Sequence, residues 1–352
     1  MISLSGSLPM DLHHGAGNKY TAWPILVFNW NLPPKIRFHK KNIIPISIVP
    51  GPKKPKDFDS FLYPLIQELL ELSEGVRAYD ASTGKLFCLR AFLIIAFGDI
   101  PAISLLLKMK GHNSITPCRI CNIHGLRIPE SEATVYYIPL DRTSHPNAGS
   151  VRKYDPHKLP MRTHEEFLEN AQSVVRARTR AEEDSLGKKT GIKGKTILTA
   201  LSSLSFPASF PYDFMHLIYE DLLKNLILLW TNEFKDLNTG AGDYTISTAV
   251  WDAIGRATAE SCDTIPSVYS ARLGSISGDR STFSADNYSF WALYIGPVLL
   301  QRKFNRQCYY DHFVMLVRLL LLCLQFEYSS EDVKTIRDGF VAWVNTYESY
   351  AS

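Results

Sequence analysis

Hydrophobic and polar positions near the start of the chain follow the period of two that is typical of strands. Ile2 to Leu8 alternates apolar and small polar residues, whereas Trp23 to Leu32 and Ile43 to Val49 are β-branched and aromatic runs bounded by Pro and Gly. We predict three strands here, the first ending near Asp11. Pro45 weakens the third to an edge or bulged strand, because proline has no N–H for a neighbouring strand.

The spacing then changes to that of a helix. Apolar side chains recur every three or four residues from Phe58 to Leu72, behind an N-cap at Asp57 and ahead of Gly75. Next, Val76 to Asp80 and Lys85 to Phe97 predict a hairpin.

The second strand of that hairpin is one of the most apolar segments. Leu86 to Phe97 is nearly all apolar, which predicts a central strand covered on both faces. It ends at Gly98 and Asp99. Pro101 fits the first turn of a following helix that runs to about Lys110.

The rest of the chain divides into an irregular segment and a helical one. Gly111 to about Leu159 is rich in Pro, His and Arg and predicts a loop-dominated insertion. Thr163 to Glu166 fits a capping box, and Gly187 to Lys195 predicts a flexible basic linker. Helical spacing then predicts five helices. The first follows Asp213 and runs through Trp230, and the others are Ser247 to Ser261, Ala285 to Gln301, Tyr309 to Phe326 and Ser330 to Tyr350.

This order of elements predicts an α/β (α+β) fold in three regions. Residues 1–110 would form the core, residues 111–195 the insertion with its basic linker, and residues 196–352 a mainly helical region that supplies the remaining core helix. Three strands, a helix and a fourth strand that ends in an acid are the arrangement of ribonuclease-H-like nucleases and transposases. We therefore expect a mixed sheet with flanking helices.

Composition excludes several classes of protein. The 352 residues are 45% hydrophobic, so the chain is not wholly disordered, and its charge of +3 means that any nucleic-acid surface would be local. The first residues, MISLSGSLPM, do not have the charged start and apolar run that predict a signal peptide, and the apolar runs of the chain are too short or interrupted to predict a membrane span. It contains no P-loop, G-x-G-x-x-G or G-x-S-x-G motif.

Two acids follow predicted strands and are the first candidates for chemistry. Asp99 lies at the carboxyl end of an apolar strand, where open α/β sheets bind their ligands, and Asp11 has a similar position. Alternatively, Asp99 only caps the helix that begins near Pro101, and Asp11 is an ordinary turn residue.

A third candidate acid lies in the helical region. Asp213, His216 and Glu220 are three and four residues apart, so they lie near one face of a helix and could approach one metal. Alternatively, Asp213 is an N-cap and Glu220 is solvated.

Cys118 and Cys121 have the spacing of half a zinc site. A structural zinc needs two more ligands, and these would have to come from among His112, His124, His145, His157 and His164. The other interpretations are two unliganded thiols or, with less support, a redox pair.

Four basic runs have the composition that binding to a phosphate backbone needs. They are Lys35 to Lys41, Lys53 to Lys56, Arg176 to Arg180 and Lys188 to Lys195. Ordinary solvated surface is the alternative interpretation.

Five segments, taken together and in this order, resemble the catalytic region of CACTA-type (En/Spm-like) DNA transposases, including fungal-type relatives. They are YTAWPILVFNWNLPP from Tyr20, PGPKKPKDFDSF from Pro50, FGDIPA from Phe97, PCRIC from Pro117 and PYDFMHL from Pro211. The resemblance extends from about Leu4 to at least Leu229.

The resemblance implies a ribonuclease-H-like core whose acids hold two divalent metals, Mg²⁺ or Mn²⁺. Asp99 matches the second acid in a D-[FI]-P-A context. Asp11 is at the distance of the first acid but is followed by Leu12 rather than by the family's glycine, and Glu220 is our choice for the third. Cys118 and Cys121 match the family's C-x-x-C, with His164 as a further ligand of Zn²⁺.

The implied partner is DNA at transposon ends, with a homo-oligomer and a nuclear location as further expectations. The chain starts at the first catalytic strand, so we expect a fragment or a decayed copy of an element. The rival hypothesis is a non-catalytic, zinc-stabilised module that binds DNA or protein, and a non-functional pseudogene product is a third.

Overall fold

A computed structural model of the chain describes residues 2–4, 8–9, 21–51, 55–127, 136–234, 242–266, 268–269 and 272–351. The chain forms two compact units, Met1–Asp213 and Phe214–Ser352, and each is described here by itself. The three predicted regions stay a prediction.

The sheet of the first unit is mixed. Its strands are β1 (Ile2–Leu4), β2 (Leu8–Pro9), β3 (Thr21–Phe28), β4 (Ile43–Pro50) and β7 (Ala96–Gly98). β3 pairs antiparallel with β1, β2 and β4, whereas β1 pairs parallel with β7. The three early strands are thus confirmed, and β7 joins them through the only parallel pairing of this sheet among the described residues.

Pro45 lies in an edge strand, as the sequence predicts. β4 pairs only with β3 among the described residues, so it is an edge strand, and its register shifts opposite Ile25 and Leu26. Both halves of the prediction, edge and bulge, are confirmed. A proline is tolerated at such a position because no neighbour needs its N–H.

The first unit has five described α-helices. They are α1 (Pro34–Arg37), α2 (Asp59–Glu74), α3 (Ile100–Leu106), α4 (His164–Val175) and α5 (Arg180–Thr190). Of these, α2, α3 and α4 contribute buried side chains to one core with the sheet. Leu62 and Ile66 of α2 are fully buried in one core with Ile25 and Val49 of the sheet. α2 ends at Gly75, which has a φ of 109°.

The long central strand predicted from Leu86 to Phe97 does not form. Its first residues belong to β6 (Lys85–Leu89), which pairs with β5 (Val76–Asp80) in an exposed hairpin, and only Ala96 and Phe97 enter β7 of the main sheet. Hydrophobicity by itself did not reveal the break, because the side chains of β6 stay exposed although most of them are apolar.

The basic segment predicted as a linker is partly helical. α5 begins at the Thr179 cap, whose side chain accepts the Glu182 N–H, and its last turn carries Lys188 and Lys189. Acids in the first turn and bases in the last favour a helix electrostatically. The helix stops at Gly191, where φ is 78°.

All the regular elements described in the second unit are helices. A π-helix (Met215–Leu223) continues into α6 (Lys224–Trp230), and α7 (Thr248–Ser261), α8 (Ala285–Phe290), a π-helix (Trp291–Ile295), α9 (Gly296–Leu299), α10 (Gln307–Cys323) and α11 (Ser330–Ala351) follow. Trp230, Trp291 and Phe313 meet in its core.

The predicted α/β (α+β) class and the helical C-terminal half are confirmed. Short strands in small sheets and the predominance of helices after Asp213 fit that class. In the part of the chain that the structure describes, no helix is both long enough and apolar enough to cross a membrane.

Candidate functional site

Asp99 lies directly after β7, at the carboxyl end of that strand. Gly98 is paired with Leu4 of β1, so Asp99 leaves the sheet beside the first strand. The side chain accepts a 2.6 Å hydrogen bond at Oδ1 from the Ala102 N–H and caps α3. The interpretation of Asp99 as a helix cap is therefore confirmed. Asp99 also lies at the carboxyl edge of the sheet.

The strand before Asp11 ends at the same edge. β2 pairs with Ala22 and Thr21 at the start of β3, and the start of β3 is the side on which β7 ends, because β3 is antiparallel to β1. Asp11 itself lies outside the described residues. Its role as the first acid stays a prediction.

Glu220 belongs to the second unit, in the π-helix Met215–Leu223. Its Oε2 lies 3.8 Å from Nε2 of His216, one turn earlier. Asp213 is the last residue of the first unit, and its carboxylate favours the charged form of Arg119. Glu220 and Asp213 both remain candidates for the third acid.

The two thiols of the C-x-x-C motif meet in the insertion. The Cys121 thiol donates to the Cys118 sulfur, which also accepts the N–H groups of Ile120 and Cys121 at 3.3 Å and the Tyr212 hydroxyl at 3.5 Å. These bonds, the one from Cys121 first, lower the pKa of Cys118 to about 5 against the opposing effect of burial. The pKa of Cys121 is raised, because its proton is shared with Cys118.

Two buried guanidinium groups flank these thiols. Arg119 is 3% exposed, stacks 3.8 Å over the Tyr212 ring and donates to the carbonyls of Phe210 and Pro211 at 2.8 and 2.7 Å. Arg162 is 5% exposed, and its Nε donates to the Cys118 carbonyl at 3.0 Å. Burial lowers the pKa of both groups, and the charge of Cys118 opposes that effect.

Sequence reasoning missed these three neighbours of the thiols. Arg119 lies inside the C-x-x-C motif and Tyr212 inside the PYDFMHL segment, but the sequence assigned neither residue a role. Arg162 carried no signal at all. Their hydrogen bonds fix the thiol pair against residues 210–212 of the same unit.

Two of the histidines expected as zinc ligands, His124 and His164, are engaged in other contacts. His164 accepts the Phe206 N–H at Nδ1 (3.0 Å), and Nδ1 of His124 lies 3.1 Å from the Thr116 hydroxyl. Within the described ranges, no three His, Cys, Asp or Glu side chains are grouped so that they could hold a metal. The residues therefore fit two of the four ligands of a structural zinc site, and no mechanistic step depends on that ion.

Comparison with known proteins places these elements in a family. Residues 9–204 match the sequence profile of the transposase family tnp2, and the match covers more than half of the 352 residues. It includes β3, β4, β7 with Asp99, and the C-x-x-C motif. A search of curated proteins found no match. With the strand that ends in Asp99 and the thiol pair both inside the matched residues, the chain belongs to the transposase family tnp2.

Proposed function

We propose that this chain is a transposase-derived catalytic domain of the CACTA type, which cleaves and joins DNA strands when active. The position of Asp99 carries the proposal. A carboxylate at the carboxyl end of a strand, inside the residues that match a transposase family, is where metal-dependent phosphoryl transfer would place an acid.

The strand order supports a ribonuclease-H-like core. Three strands form antiparallel pairs around β3, helix α2 follows, and β7 then returns parallel to β1. That order brings the strand before Asp11 and the strand before Asp99 to one edge of one sheet. Both acids could therefore reach one site above that edge.

Asp99, Asp11 and Glu220 are the residues that would hold Mg²⁺ or Mn²⁺. Such ions would activate water or a DNA 3′-hydroxyl as the nucleophile and would stabilise the leaving oxygen. The chain's own contribution at Asp99 is orientation, because the Ala102 N–H fixes one carboxylate oxygen and leaves Oδ2 without a partner among the described residues.

A structural zinc site is a second part of the proposal. Cys118 and Cys121 would supply two ligands, and His164 is the proposed third. The hydrogen bond between the two thiols supports this idea, because two ligands of one ion must lie close together. Binding to transposon ends, a homo-oligomer and a nuclear location are proposed on the family relationship.

Mn²⁺ binding by calorimetry tests the catalytic proposal. The wild type is compared with Asp99→Asn, since asparagine keeps an acceptor for the Ala102 N–H but removes the charge. Asp57→Asn is the matched control: Asp57 also accepts a backbone N–H at a helix start (from Asp59, 3.1 Å) but has no proposed metal role.

We expect saturable Mn²⁺ binding in the wild type and in Asp57→Asn, and its loss in Asp99→Asn. Equal binding in all three proteins, or none in the folded wild type, would contradict the proposal. The chain would then be the non-catalytic module that binds DNA or protein, with Asp99 as a helix cap only.

A further inference from the structure

The charge of this chain is distributed very unevenly. Residues 12–56 contain eight Lys and Arg and no Asp or Glu, whereas the rest of the chain carries 30 Lys and Arg against 35 Asp and Glu. The modest total of +3 therefore conceals a strongly basic segment. That segment contains β3 and β4 of the main sheet.

Half of these cations lie in the connection between the two strands. We call residues 29–42 the β3–β4 connector. It contains α1 and a short 3₁₀ turn (Lys40–Asn42), and it carries Lys35, Arg37, Lys40 and Lys41. Three of them, Lys35, Lys40 and Lys41, are exposed, and none forms an ion pair with a described residue.

The fourth cation holds the connector in shape. Arg37 donates from Nε and Nη2 to the Leu32 carbonyl (3.1 and 2.9 Å) and from Nη2 to the Trp30 carbonyl (3.0 Å), and its guanidinium stacks 4.0 Å over the Trp30 ring. Asn42 adds a 2.7 Å hydrogen bond to the Ile36 carbonyl. The lysines therefore project from a hydrogen-bonded turn, which lowers the entropy that binding would cost.

We propose that the β3–β4 connector binds the phosphates of duplex DNA. The partner rests on the proposed function, but the surface is assigned from the charge distribution: exposed cations without an ion pair among the described residues, on a segment whose sequence has no acid, complement a polyanion. An acidic peptide is the competing partner, and the experiment separates the two.

The connector lies at the opposite edge of the sheet from Asp99. Gly98 pairs with Leu4 and Leu4 with Ile25, so Asp99 and Asn29 are separated by about five residues along the strands, roughly 15 Å. At 3.4 Å per base pair, this is about four or five base pairs. DNA bound here would therefore flank the strand break, and the connector would add affinity without touching the proposed metal site.

Fluorescence anisotropy with a labelled duplex of arbitrary sequence, about 30 base pairs long, tests this surface, because phosphate binding does not depend on sequence. Measurements in EDTA across about 50–200 mM salt keep the result independent of the catalytic metals. The test variant combines Lys35→Gln, Lys40→Gln and Lys41→Gln. The matched control combines Lys158→Gln, Lys224→Gln and Lys303→Gln, which replace three exposed lysines elsewhere in the chain. Both variants therefore lose three positive charges from the same net charge of +3.

We expect the connector variant to bind the duplex at least about tenfold more weakly and to lower the salt slope by roughly 2 to 3, with the control within about threefold of the wild type. Equal losses in both variants, no loss in the connector variant, or no duplex binding by the wild type at low salt would overturn the proposal. Displacement of the duplex by polyglutamate at equal charge concentration would overturn it in favour of an acidic peptide.

Mn²⁺ calorimetry on the same connector variant separates this proposal from the proposed function. Unchanged Mn²⁺ binding together with weaker DNA binding supports both. If the chain binds no Mn²⁺ but the connector variant binds DNA more weakly, the DNA-binding surface is supported and the catalytic proposal is contradicted. If Mn²⁺ binding is normal but DNA binding is unchanged, the catalytic proposal is supported and the surface is contradicted.

Discussion

His312 and Trp343 form a reciprocal pair in the second unit. His312 donates from Nε2 to the Trp343 carbonyl (2.9 Å), Trp343 donates from Nε1 to the His312 carbonyl (3.1 Å), and the two rings stack at 4.5 Å. The pair joins α10 to α11, and both side chains are buried. One titratable group thus lies at the junction of the two longest helices among the described residues.

This pair makes stability depend on pH. Burial lowers the pKa of His312, so below the ordinary histidine value of about 6.5 the unfolded chain binds a proton that the folded chain resists. We expect the free energy of unfolding to fall as the pH drops below that value, by at most about 1.4 kcal/mol per pH unit. Tyr347 and Tyr350 also contact His312, but burial raises their pKa values, so they do not titrate in this range.

Urea unfolding at pH 7.5 and at pH 5 measures the effect, with His312→Phe as the variant and exposed His39→Gln as the control. We expect His312→Phe to reduce the loss of stability at low pH and His39→Gln to keep it. An identical pH dependence in His312→Phe and the wild type would show that other groups are responsible.

Asp99→Ala and Asp99→Asn separate the helix cap from the metal role. Loss of the acceptor for the Ala102 N–H should cost about 1 kcal/mol of folding free energy in Asp99→Ala, whereas asparagine should cost less than about 0.5 kcal/mol. Chemical denaturation measures both values. If both variants unfold like the wild type, the 2.6 Å hydrogen bond contributes nothing to stability.

Gly191→Ala should be strongly destabilising. A Cβ at this position would lie 2.3 Å from the Thr116 carbonyl oxygen, and φ is 78°. Gly149→Ala is the matched control, because φ there is also positive (66°) but nothing lies within 4 Å of the added Cβ. We expect a loss of about 1 kcal/mol for Gly149→Ala and at least about 2 kcal/mol for Gly191→Ala, measured by thermal or urea unfolding. Equal losses would show that the backbone near Thr116 moves aside.

The zinc content of the purified protein tests the thiol pair. We expect about one zinc per chain in the wild type, lost in Cys118→Ser and in Cys121→Ser, since each removes one thiolate ligand. Cys88→Ser is the control, because Cys88 is a free, exposed cysteine of the β5–β6 hairpin. A zinc-free wild type with two alkylatable thiols at residues 118 and 121 would contradict the zinc proposal.

Local signals predicted much of the fold correctly. Strands β3 and β4, the edge position of Pro45, the cap at Thr163 and the stop at Gly75 all follow from one residue and its close neighbours. Such features depend on backbone preferences that each residue carries into the folded state. The capping box is only half formed, because Glu166 accepts a hydrogen bond from the Asn122 amide at 2.7 Å.

By itself, the sequence determined most of the strand and helix types, the acid after an apolar segment, the C-x-x-C pair and the family resemblance, because each is written in a short segment. Tertiary structure alone decided that β6 leaves the main sheet for an exposed hairpin, and that Cys118 meets Arg162 and Tyr212, 44 and 94 residues further along the chain. Contacts between such distant residues depend on how whole elements pack, and the spacing of residues within a segment carries no record of that packing.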